Sequence, residues 1–100
     1  MFRMQRSFEF RSGKGRQARQ YLIDVSEYLR SAYSIQVQAF IEVAGPTHCS
    51  HLFMDFDDLA SYERFWLQLG HDATFGELHE READIVLEGT VRQALLHEAR

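Results

Sequence analysis

His48-Cys49-Ser50-His51 is the densest run of potential chemistry in the chain. Imidazole and thiolate are good ligands for transition metals. On a strand, however, Cys49 and His51 share one face while His48 points to the other. Two adjacent ligands need a third, for which His79 is the candidate. A structural or surface role for these residues is the better reading, and no bound metal and no cofactor are expected. A second group, Glu9, His51 and Asp55, could supply acid–base catalysis beside Phe40 and Phe53 if the fold brings them together. Otherwise they are hydrogen-bonded polar residues that fix the register of an assembly. Gln36, Gln38, Phe40, His51 and Phe53 form the candidate ligand-binding set. Nucleophilic triads leave no recognisable motif. Gly13-Lys14-Gly15 is too short for a phosphate-binding loop and lacks the Ser/Thr after the lysine.

Composition narrows the class. One hundred residues fit one domain, 1–100, and 45% hydrophobic with 13% aromatic residues is enough for a core. A net charge of −4 argues against a general nucleic-acid binder, which needs a basic face. Arg11, Lys14, Arg16 and Arg19 cluster locally and read as a solvated helix start. The single Cys49 cannot form an internal disulfide. No apolar run is long enough to span a membrane, and Met1–Arg6 lacks the apolar segment of a signal peptide. The expectation is a cytoplasmic protein with no membrane and no nucleic-acid partner.

The elements that must position these residues follow from periodicity. Phe2, Met4, Phe8 and Phe10 alternate with Arg3, Gln5, Ser7 and Glu9, predicting a strand whose apolar face is interrupted by Arg6. Ser12–Gly15 reads as a turn in which Ser12 helps to cap the next element. Ala18, Leu22, Val25, Leu29 and Ala32 predict an amphipathic helix over 16–33, with Tyr21 and Tyr28 widening its stripe. Residues 35–43 alternate as a second strand. After a Gly45-Pro46 turn, a third strand over about 48–56 returns as its antiparallel partner. Asp57 and Asp58 offer caps to a helix over about 58–69, with Gly70 placed for a left-handed C-cap. Asp72-Ala73-Thr74-Phe75 reads as a second, short helix start. Thr90 and Gln93 could form the capping box of a C-terminal helix. A last strand near 90–97 is preferred, because it would cover the open edge of the first.

The resulting order, β-α-β-β-α-(short α)-β, is the ferredoxin-like βαββαβ arrangement. It is an α+β fold with an antiparallel four-stranded sheet and both major helices on one face. The other face would carry Gln5, Ser7, Glu9, Gln36, Gln38, Phe40, Glu42, Cys49, His51, Phe53 and Asp55, with no helix left to cover it. Two such faces packed together would bury Phe40 and Phe53 and enclose a partly polar cavity for a small organic ligand. A homodimer through the sheet face is therefore expected. The alternative is a monomer with a wet sheet face.

Gly45-Pro46, the strand ending in Phe56, Asp58-Leu59-Ala60-Ser61-Tyr62-Glu63-Arg64 and Asp72-Ala73-Thr74-Phe75 together resemble the NIPSNAP family. Phe56 stands where that family has Tyr, Phe75 where it has Trp, and Ala73 replaces its Pro. Leu52 and Met54 stand where a His and a Trp are usual. The resemblance covers about a third of the chain closely and the rest by element order. It implies the dimeric α+β barrel superfamily, shared with antibiotic-biosynthesis-type monooxygenases, and a substrate cavity between helices and sheet or within the barrel. Haem-degrading relatives use an Asn on the first strand, a Trp on the second helix and a His soon after. This chain has Trp66, His71 and His79 but no Asn at all. Two functions follow as expectations: a NIPSNAP-like barrel that binds a small organic ligand, or a cofactor-independent monooxygenase or related small-molecule enzyme. Whether the chain is an enzyme stays open at this point.

Overall fold

The computed structural model describes residues 1–45 and 48–99. Pro46, half of the expected Gly45-Pro46 turn, lies outside the described residues, as do Thr47 and Arg100. The elements are β1 (Phe2–Glu9), α1 (Gly15–Tyr33), β2 (Gln36–Ile41), β3 (Cys49–Phe56), α2 (Leu59–Leu69), α3 (Ala73–Glu80), α4 (Glu82–Ile85) and β4 (Arg92–His97). The sheet is antiparallel throughout, in the order β2-β3-β1-β4. The last strand thus covers the edge of β1, as the edge argument requires.

Alternation fixes which side of the sheet is wet. Ser50, Leu52, Met54 and Phe56 of β3 are buried, while Cys49, His51, Phe53 and Asp55 are half-buried. Met4 and Phe8 of β1 and Val37 of β2 join the buried side. Against them lie Ala18, Tyr21, Leu22, Val25 and Leu29 of α1, with Phe65 and Leu69 of α2. A slip of one residue in β1 or β3 would turn each apolar side chain outward, so burial itself specifies the register.

Helix ends differ from the sequence expectation in three places. The N-cap of α1 is Lys14, with no side-chain cap, so Ser12 does not cap this helix. Gly13, at φ 80°, makes the turn instead. Gly70 is right-handed (φ −64°) rather than left-handed. The chain does not reverse there: His71 and Asp72 donate to the carbonyls of Gln68 and Leu69, carrying a right-handed turn into α3. Thr90 caps no helix, because its hydroxyl donates to the Leu87 carbonyl at 2.6 Å and it also receives the Glu9 N–H. The expected acidic caps are present. Asp58 accepts from the Ser61 N–H and Asp72 from the Phe75 N–H.

Arg6, the one charge on the apolar side of β1, is matched by Glu82 of α4. The Arg6 Nη2 donates to both carboxylate oxygens, at 2.9 and 3.0 Å. The four-residue α4 was not separable in the sequence from the segment that follows it.

Candidate functional site

Cross-strand partners project to the same side of a sheet. The register therefore builds the uncovered face row by row. Gln36, Asp55, Arg3 and Leu96 form one row, and Gln38, Phe53, Gln5 and Ala94 the next. Phe40, His51, Ser7 and Arg92 form the third. Cys49 and Glu9 lie beyond it. All five candidate ligand-binding residues stand on this face. Phe40 meets Phe53 edge-on at 5.7 Å between ring centroids, and His51 stacks beside Phe53 at 6.5 Å.

The three acid–base candidates share the face but do not converge. Asp55 is held by Arg3 through two hydrogen bonds, at 2.7 and 3.0 Å. Glu9 meets His48 at 2.7 Å, near the end of β1. His51 lies four residues from Asp55 along β3, about 13 Å at the usual rise. His51 has two close partners of its own: Ser7 Oγ lies 2.7 Å from Nδ1 and Glu42 Oε1 lies 2.7 Å from Nε2. Gln5 Nε2 donates to Ser7 Oγ at 3.3 Å.

The fold does not bring His79, the candidate third ligand, to the His48-Cys49-Ser50-His51 run. His79 lies on the helix side, 2.6 Å from Glu82, with the sheet between it and His51. Among the described residues no three His, Cys, Asp or Glu side chains are grouped to hold an ion. Partial burial, then Glu42 and Glu9, push the Cys49 thiol above its ordinary range, which disfavours the thiolate that metals and electrophiles require.

Two of the concavities bear on these groups differently. One of about 110 Å³ sits between the layers, lined by apolar core residues with Arg6, Glu82, His79 and Trp66. Burial, then the Glu82 charge, raise the Tyr21 phenol in its wall, so that group stays neutral there. The Trp66 indole N–H is buried with no partner among the described residues. This volume is well short of the roughly 300–1,000 Å³ usual for organic ligands. The other, about 590 Å³, is an open groove at one end of the sheet. Gln36 and Asp55 reach it, together with Tyr33, Ser61 and Arg64.

No family model matches the sequence, and no curated protein does. Solved structures do match. An Agrobacterium tumefaciens protein, described as a NIPSNAP family protein with unknown function, superposes with a TM-score of 0.84 at 15% identity. The match covers 100% of this chain and 95% of that one. Its fold is that of NIPSNAP proteins. An uncharacterised NIPSNAP domain protein from Burkholderia xenovorans gives 0.82 at 14% identity, over 99% of this chain and 95% of that one. A candidate antibiotic biosynthesis monooxygenase from Deinococcus radiodurans gives 0.74 at 9% identity, over 100% and 94%. At such identities the likeness concerns the backbone arrangement. The NIPSNAP-like, ferredoxin-like α+β fold expected from the sequence is thus the fold of this chain. No helix among the described residues is long and apolar enough to cross a membrane.

Sequence reasoning placed Ser7, Glu42 and His51 on one face of this NIPSNAP-like sheet without joining them. The missing information was register. Ser7 and His51 become opposite partners only when β1 and β3 pair as they do. The Arg6–Glu82 pair was signalled only by the break in the apolar alternation of β1.

Proposed function

We propose that this chain is a one-domain cytoplasmic protein that forms a homodimeric α+β barrel, closed through its sheet face, and binds a small organic ligand there. The observation that carries this reading is the uncovered face itself. Phe40, 51% exposed, stands beside Phe53 among Gln36, Gln38 and His51, and no helix packs over them. Apolar rings set in a polar frame favour a partner that buries the rings and leaves a partly polar interior. The interlayer space is too small for the same task.

Light scattering combined with native mass spectrometry tests it. The expected result is a particle of about twice the 11.7 kDa chain, with additional non-covalent mass when the ligand co-purifies. A monomer at micromolar concentration would remove the enclosed cavity and the reading with it.

A second reading is a cofactor-independent monooxygenase or related small-molecule enzyme. The likeness to the Deinococcus radiodurans protein supports it. Substitution of His51 or Asp55 would then abolish substrate-dependent oxygen uptake while sparing the dimer. If the barrel only binds, the same changes weaken the dimer and no turnover is detected in the parent protein.

A further inference from the structure

We propose that Ser7 is a nucleophile, activated by His51 and Glu42, and that the sheet face hydrolyses carboxylic esters carrying an apolar group. The three residues come from three strand regions: Ser7 from β1, His51 opposite it in β3, and Glu42 just past the end of β2. The chain of contacts is continuous, with Ser7 Oγ to His51 Nδ1 at 2.7 Å and His51 Nε2 to Glu42 Oε1 at 2.7 Å.

The direction of these hydrogen bonds follows from chemistry. A carboxylate accepts and does not donate, so the hydrogen of a neutral His51 sits on Nε2, facing Glu42. Nδ1 then presents its lone pair to Ser7, and the serine hydroxyl must donate to it. That is the arrangement of a nucleophile, a base and a group that orients the base, recognised by roles rather than by sequence order. Glu42 also stabilises the imidazolium that forms when His51 takes the proton. The side chains of His51 and Glu42 are 23% and 27% exposed, so the pair is shielded yet reachable.

The step balances without a redox partner. Ser7 Oγ bonds to the ester carbonyl carbon as its proton passes to His51 Nδ1. The carbon–oxygen bond to the alcohol breaks, and Nδ1 returns that proton to the leaving oxygen. Water then attacks the acyl-Ser7, again giving its proton to Nδ1, and the acid leaves as Ser7 recovers its hydrogen. Two donors on the same face can meet the oxyanion. One is the Gln5 amide, already 3.3 Å from Oγ, and the other is Arg92, the cross-strand partner of Ser7. Phe40, the cross-strand partner of His51, with Phe53 beside it, gives the apolar part of the ester its surface.

This inference rests on the sheet-face cavity proposed above, and one experiment separates the two. The purified protein is incubated with a fluorophosphonate and, separately, with p-nitrophenyl acetate. Adducts are located by peptide mass spectrometry, and oligomeric state is measured on the same sample. The expected result is a dimer labelled at Ser7. Ser7→Ala abolishes that label, and His51→Gln and Glu42→Gln slow it, the former about 10²–10⁴-fold, as for loss of a general base. Circular dichroism of each variant confirms that the fold is kept. A dimer with no adduct at Ser7, or with adducts that Ser7→Ala leaves in place, overturns the nucleophile and leaves ligand binding standing. A monomer labelled at Ser7 supports the nucleophile and overturns the barrel. An unlabelled monomer overturns both.

Discussion

Glu82 accepts two hydrogen bonds from a single Arg6 nitrogen, on the helix-covered side of the sheet. The side chains are only 9% and 19% exposed. Removing one member of such a pair leaves the other charge stranded in a poorly solvated place. Glu82→Gln is therefore expected to lower unfolding stability by about 3 kcal/mol, near the lower end for a buried pair because Arg6 is partly wet. The double replacement Arg6→Met with Glu82→Leu should recover most of that loss. Urea denaturation of the three variants measures it, and an unchanged midpoint for Glu82→Gln alone would sink the argument.

Asp72 gives stability a dependence on acid. The hydroxyls of Tyr28 and Tyr33 both donate to its Oδ2 at 2.6 Å, and the Phe75 N–H donates to Oδ1. The Tyr28 and Tyr33 hydrogen bonds, then that of Phe75, hold the carboxyl down at about 2. Its folded value lies below the unfolded one, near 4. The contribution is thus complete above about pH 4 and fades as pH falls toward 2. Asp72→Asn should flatten the stability profile in that window and change little of its shape from pH 5 to 8. The alkaline counterpart is Tyr33, raised to about 12 by burial first and by Asp72 second. Its contribution is complete below about pH 10 and is lost as pH climbs through 12. Thermal melts across both ranges check the two signs.

Ser34 ends α1 in the left-handed region, at φ 54°, with its N–H donating to the Arg30 carbonyl. A side chain there is strained in a way glycine is not. Ser34→Gly should raise the denaturation midpoint by an amount equivalent to about 0.5–1 kcal/mol. A lower midpoint would mean that the Ser34 side chain contributes more than its backbone strain costs.

Phe40 offers a test of the barrel that does not disturb the protomer. Half its surface is open, so Phe40→Glu should change protomer stability by less than about 0.5 kcal/mol. At a sheet-face interface the same change would bury two new carboxylates near the Glu42 pair. The dimer should then weaken by at least about 2 kcal/mol, close to thirtyfold in dissociation constant. Sedimentation equilibrium reads this directly; equal dissociation constants for variant and parent would place the interface elsewhere.

The sequence by itself determined the first three strands and the long first helix, with their wet and dry faces, because period two in 2–10, 35–43 and about 48–56 and period near 3.6 in 16–33 leave one side of each to bury. It also marked Asp58 and Asp72 as helix starts, since a side-chain oxygen before an apolar-periodic run has a local job. Tertiary structure alone decided what lies opposite what. Gly70 looks like a helix stop in isolation, yet the short turn into the Asp72 cap keeps it right-handed. Arg6 looks like a flaw in a strand until α4 brings Glu82 to it. Ser7 is far in sequence from Glu42 and His51, and none of the three by itself marks the others as partners. Only the pairing of three strand regions, set by burial of Met4, Phe8, Val37, Leu52 and Met54 on the far side, places them in one line.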